Sequence, residues 1–147
     1  MQSEYFSLPL SLERIVRPRD KRQELVKCSL QESVKQHLHL LFTTSFGEFL
    51  ADANFGCGIW DNDFDNVTSD YKLKEVIRLS LLNTIKENEK RLRQVRVEIT
   101  LQQKEIVTGR ANATIKKRID INVSAVFNST NEKFSFLDIF FVGPLSY

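Results

Sequence analysis

From residue 30 onward, Leu30, Val34, Leu38, Leu41 and Phe42 recur at the spacing of one helix face, which predicts an amphipathic helix over 30–44. Ser29, with Glu32 three residues on, forms a capping box that fixes its start. A second stripe, Leu73, Val76, Ile77, Ser80, Leu81 and Ile85, keeps Lys72, Lys74, Lys86 and Glu87 outside it. It predicts a helix over 70–90, capped by Ser69 or Asp70. The period then drops to two. Val95, Val97, Ile99 and Leu101 alternate with polar residues, as do Ile119, Ile121, Val123, Ala125 and Phe127, so both runs are half-buried antiparallel strands. A charged connection around Gly109 joins them and has room for a β-extension. Asn128–Asn131 makes a turn, and 133–142 is a third strand, apolar on both faces apart from Asp138 and ended by Pro144.

Two stretches break these periods. Residues 1–28 carry Tyr5, Phe6, Leu8, Leu10 and Leu12, interrupted by Pro9 and followed by a basic run at Pro18, so they form no continuous helix. They read as an extended arm, laid over its own domain or docked on a neighbouring subunit. Residues 45–69 hold Gly47, Gly56 and Gly58 among turn-forming Asn and Asp, together with Phe46, Phe49, Phe55, Ile59, Trp60 and Phe64. A loop so rich in aromatics packs on the body or on a partner. The fold class expected is α+β: two amphipathic helices packed on a three-stranded (or slightly larger) antiparallel meander, with an extended N-terminal arm over 1–28 and a single domain over 29–147.

Composition narrows the function more by exclusion than by signal. The 147 residues are 41% hydrophobic and 27% charged, close to the globular average. The net charge is +2, from 21 basic and 19 acidic residues, which makes no strong field for a polyanion. Basic clusters at 17–22 and 116–118 lack interleaved aromatics, so no nucleic-acid partner is expected. No basic leader followed by an apolar stretch and no run of about twenty apolar residues is visible, which leads to the expectation of a cytoplasmic protein without membrane insertion. Cys28 and Cys57 form no CxxC pair and read as buried thiols. His37 and His39 lie two apart, on different helix faces, and cannot share a metal. No metal, cofactor or small-molecule substrate is expected.

Catalysis finds little to build on. Glu48 and Asp52 lie four apart, and paired carboxylates can divide acid and base roles in glycoside hydrolysis. A peptidoglycan hydrolase using Glu48 is therefore the alternative function. No nucleophile elbow, P-loop or dinucleotide turn is present. The junction Glu87–Arg93 is more informative. Arg91 can grip a carboxylate through two parallel bonds, although a solvated helix end with cations near its C-terminus has the same composition.

Two segments, in order, resemble a known family. Leu40-Leu41-Phe42-Thr43-Thr44-Ser45-Phe46-Gly47-Glu48 followed by Asn54-Phe55-Gly56-Cys57-Gly58-Ile59 is similar to the signature of the gene-25-like baseplate wedge proteins. Asn88-Glu89-Lys90-Arg91-Leu92 falls where that family carries Glu-Pro-Arg, with Lys90 in place of the proline. The resemblance covers about residues 29–142. It implies a non-enzymatic component of a contractile machine, either a phage tail or a type VI secretion system, where the subunit is called TssE. It further implies binding to the wedge's core helical bundle and nucleation of the contractile sheath protein by strand pairing. The partner-binding residues it implies are Glu89, Lys90, Arg91 and Leu92, with Gly47, Glu48, Phe55 and Gly56 from the first signature.

Overall fold

A computed structural model describes residues 5–11, 16, 25–60, 69–108 and 112–142, without the side chains of 105–108 and 112–115. The basic run at 17–22, Phe64, Gly109 and Pro144 lie outside the described residues.

Each helix starts where its cap places it. α1 (Leu30–Thr43) begins at Ser29, whose Oγ accepts the Glu32 amide at 3.2 Å while Glu32 Oε2 accepts the Ser29 amide at 3.0 Å. Two of the amides that a helix start leaves unpaired are thus satisfied reciprocally. Extended backbone at Thr44 ends α1, and the Thr44 amide and hydroxyl both turn back to the Leu40 carbonyl. α2 (Asp70–Asn88) is capped by Ser69, and Lys90 Nζ reaches back to the Lys86 carbonyl at 2.9 Å at its other end. A cation there complements the negative helix terminus. The buried stripe of α2 is Leu73, Ile77, Leu81, Thr84 and Ile85. Val76, expected on that stripe, is 50% exposed. At 3.6 residues per turn it lies about 110° from the stripe's centre, so the four-residue steps from Leu73 to Ile77 to Leu81 leave it outside.

The strands are β1 (Tyr5–Phe6), β2 (Lys27–Cys28), β3 (Leu92–Thr108), β4 (Asn112–Phe127) and β5 (Lys133–Val142). β3, β4 and β5 form an antiparallel meander in sequence order, and β1 and β2 make a separate two-residue ribbon. The β-extension around Gly109 is real: β3 and β4 stay paired out to Thr108 and Asn112. β5 pairs with β4 only between residues 117 and 126, so the outer part of the β3–β4 hairpin projects beyond the third strand. A bulge between Arg93 and Arg96, with Gln94 at φ 51°, twists the start of β3. Asn131, at φ 59°, closes the β4–β5 turn, a conformation that Asn tolerates well.

Both helices cover one face of the sheet. Val97, Ile99, Ile119, Ile121, Val123, Ala125, Phe127, Phe134 and Phe140 point into a core shared with Val34, Leu38, Leu41, Phe42, Ile77 and Leu81. The α+β architecture is as the periodicity predicts. Asp138 lies opposite Ile121, on this inner face, and is spared an unpaired burial by His39 of α1, whose Nδ1 is 2.7 Å from Asp138 Oδ2.

Candidate partner-docking site

The chain turns from α2 into β3 through Glu89, Lys90 and Arg91, and this turn sits against the side of α1. Glu89 is 2% exposed. Its Oε1 accepts from the Arg91 amide at 3.1 Å and from Arg91 Nε at 2.7 Å. Its Oε2 accepts from the Arg91 terminal nitrogen at 2.6 Å and from His37 Nδ1 at 2.7 Å. Burial alone would push the carboxyl up, but the hydrogen bonds from Arg91 and His37 outweigh it and hold it at about 2. An ionised carboxylate only accepts, so His37 carries its proton on Nδ1. The other terminal nitrogen of Arg91 donates to Ser33 Oγ at 2.9 Å. The guanidinium carbon sits over the ring of Tyr5, at 5.4 Å from its centroid.

The second signature meets the first on α1. The Phe55 ring lies against the His37 ring at 6.0 Å between centroids, and Phe49 packs edge-on to Phe55 at 5.6 Å. Three elements distant in sequence, the aromatic loop, α1 and the α2–β3 turn, thus converge on His37. The loop that delivers Phe55 is tightly tied. The Cys57 amide donates to the Thr44 carbonyl at 2.9 Å, the Gly47 amide to Ala53 at 2.8 Å, and Trp60 Nε1 to Phe42 at 2.8 Å. Gly56, at φ +125°, lets this happen: a Cβ there would lie 2.5 Å from the Thr44 carbonyl oxygen. Ile59 and Cys57 are fully buried, whereas Phe46, Phe49 and Leu50 face outward.

The residues implied by the family signature therefore fall into three groups. Glu89, Gly56 and Leu92 are interior: Glu89 holds Arg91, Gly56 permits the loop crossing, and Leu92 is in the core. Gly47, at φ +79°, and Glu48, whose Oε2 accepts the Ser45 amide at 2.8 Å, shape the loop. Lys90, Arg91 and Phe55 reach the surface, with the Arg91 side chain 31% exposed. Asp52 accepts the Asn54 amide at 3.0 Å, another local turn contact. Two residues of the basic cluster in β4 are engaged as well, Lys117 with Asp70 and Arg118 with Asp120. Spacing alone did not single out Ser33, His37 and Tyr5. The available signal was Ser33 and His37, four apart beside the buried Val34 and Leu38, a polar pair at a core margin that calls for a charged partner.

A family model described as baseplate wedge protein gp25 matches residues 28–132. This chain belongs to that family. The match spans both signatures, α1, α2 and the β3–β4 hairpin, and family membership makes the chain a baseplate or tail component. Among solved structures it is similar to a Geobacter sulfurreducens protein provisionally described as a tail lysozyme. The two share 19% identity over 84% of this chain and 100% of that one, with a TM-score of 0.59. At that identity the likeness shows the fold alone. No curated protein matches the chain. Among the described residues no helix is long and apolar enough to cross a membrane, and no cluster of three potential metal ligands occurs.

Proposed function

We propose that this gp25-family chain is a non-catalytic adaptor of a contractile injection machine, a type VI secretion system of the TssE kind or a phage tail, working on the cytoplasmic side. It docks on the wedge's core helical bundle through the Arg91 surface, and it starts sheath assembly by adding a sheath strand to its meander.

The observation that carries the docking half is the convergence of both signatures on His37, which fixes Arg91 from behind while leaving its outer side near the surface. A guanidinium held this way keeps its orientation at little further entropic cost when a partner arrives. What supports the strand-pairing half is that, among the described residues, neither β3 nor β5 carries a further strand on its outer edge. Such an edge presents unpaired amides and carbonyls. Leu137, Ile139 and Phe141 form an exposed apolar row on the face of β5 turned away from the helices, and the same-face side chains of an added strand would pack beside them. Glu48 favours no hydrolase, since its carboxylate already serves the loop's own backbone.

The test is co-purification from the native host. Arg91→Lys keeps the positive charge beside Glu89 but loses the fork. It is expected to fold, by circular dichroism, and to lose the wedge proteins that the wild type retains. Leu137→Asp combined with Ile139→Asp is expected to keep those proteins and to lose the sheath. A folded Arg91→Lys chain that retains all wedge partners overturns the docking role, and a full-length sheath on the double variant overturns strand pairing.

A further inference from the structure

The arm and the Arg91 site differ in how firmly they are built. The site is rigid: three guanidinium nitrogens are taken up by Glu89 and Ser33, and Glu89 is buried. The arm over it is held lightly. Tyr5 and Phe6 pair with Cys28 and Lys27, the Ser7 amide donates to Val26 at 2.8 Å, and the Leu8 amide donates to Gln36 Oε1 at 3.1 Å. Two-stranded ribbons are marginal on their own. The apolar side chains that could anchor this one, Phe6, Leu8, Leu10 and Val26, are all exposed. Tyr5 is the arm's contact with the charged site.

We propose that Tyr5–Leu8 form a displaceable strap that closes the Arg91 site in cis. The seat beneath it takes an extended segment that lays a planar aromatic side chain on the guanidinium. The chemistry selects an aromatic over a carboxylate. The Nε edge of Arg91 that would grip an acid is already spent on Glu89, and the guanidinium carbon sits over the Tyr5 ring, a cation–π position that an aromatic side chain fills. The strap itself stands on the contacts above. That the displacing segment belongs to a wedge protein rests on the function proposed here.

Cys28 supplies the readout in the full-length chain. It lies directly across from Tyr5, so the two side chains share a face, and it is 6% exposed. Cys57, fully buried in the core, serves as the internal control. Tyr5→Ala is expected to speed thiol labelling of Cys28 about fivefold, equivalent to about 1 kcal/mol of strap closure at tenfold per 1.4 kcal/mol, with Cys57 still silent. Tyr5→Phe keeps the ring and loses only the hydroxyl's bond to Arg91, and it is expected to label more slowly than Tyr5→Ala. A peptide copying residues 1–11, added to the Tyr5→Ala chain, is expected to restore protection, and the same peptide with alanine at Tyr5 is not. An unchanged Cys28 rate in Tyr5→Ala overturns the proposal. So does Cys57 labelling in step with Cys28, Tyr5→Phe labelling as fast as Tyr5→Ala, or equal protection by the two peptides. No baseplate protein enters this assay, so its failure is separate from failure of the adaptor role.

Discussion

Replacing Arg91 by Ala removes two hydrogen bonds to a carboxylate that is almost wholly buried; the bond from the backbone amide of residue 91 survives. The fall of the Glu89 pKa from 4.5 to about 2 corresponds to about 3 kcal/mol favouring the ionised form in the folded state. Breaking a buried pair by deleting one partner costs about 3–5 kcal/mol. His37 still donates to Glu89, and Arg91 is partly exposed so that water can follow it out, which sets the expectation at the lower end, about 3 kcal/mol at pH 7. For a chain of this size that is a drop in Tm of roughly 6–12 °C.

The pH dependence distinguishes the ion pair from lost packing. Glu89 has a depressed folded-state pKa, so its stabilisation is present above about pH 4.5 and is lost as the pH falls towards 2. In Arg91→Ala most of that stabilisation is gone at every pH. The stability difference between wild type and variant, measured by urea unfolding, should therefore be near its full value from pH 7 down to about 5 and shrink steadily below that. His37, the other side chain hydrogen-bonded to Glu89, is present in both chains, so much of its contribution cancels in the difference. A difference that stays constant between pH 6 and pH 3 would refute the electrostatic account and assign the loss to the packing of the Arg91 side chain.

Gly56→Ala should cost at least about 2–3 kcal/mol by thermal unfolding, since both its positive φ and the Thr44 carbonyl forbid a methyl group; Gly47→Ala, strained in φ but open in space, should cost about 1 kcal/mol. Ser29→Ala removes half of the capping box and should lower stability by about 1 kcal/mol in the same assay. Glu48→Ala loses the acceptor for the Ser45 amide and should cost about 0.5–1.5 kcal/mol. In a cell-wall turbidity assay the wild-type chain should produce no clearing, and clearing that Glu48→Gln abolishes would bring the hydrolase function back.

The parts of this molecule that were legible in its sequence are those where a local rule and the final packing agree. α1 follows its capping box and apolar stripe, and the meander follows its period-two alternation, because a strand half buried under helices needs that alternation. Val76 was misjudged because a stripe read at three- and four-residue steps is wider than the face a helix actually buries against a twisted sheet. The full length of the β3–β4 hairpin was only hinted at: beyond Leu101 the polar side chains no longer alternate with apolar ones, and Gln102, Gln103 and Lys104 are all exposed.

The acid–base turn was legible in its residues but not in its depth. By composition Glu89 and Arg91 belong to a solvated helix end, where two charges are ordinarily worth little. What takes Glu89 inside is His37, more than fifty residues earlier, and no local pattern links the two. Burial changes the part each plays. A buried carboxylate with its lone pairs taken by Arg91 and His37 has nothing left to offer a partner, so its work is to hold the guanidinium in place beside Ser33 of α1. The aromatic loop completes the same support, because Gly56 lets the chain cross close to Thr44 and brings Phe55 onto His37. A proline at position 90, which the family signature carries and this chain lacks, would stiffen the turn through its fixed φ. Here Lys90 instead ties the turn to the last carbonyls of α2, and Asn128 Nδ2 holds the Lys90 carbonyl at 2.6 Å from the far end of β4. The turn thus keeps its shape through side-chain bonds where a proline would have supplied it through the ring, and a chain that rebuilds a turn this way retains the geometry that Arg91 needs.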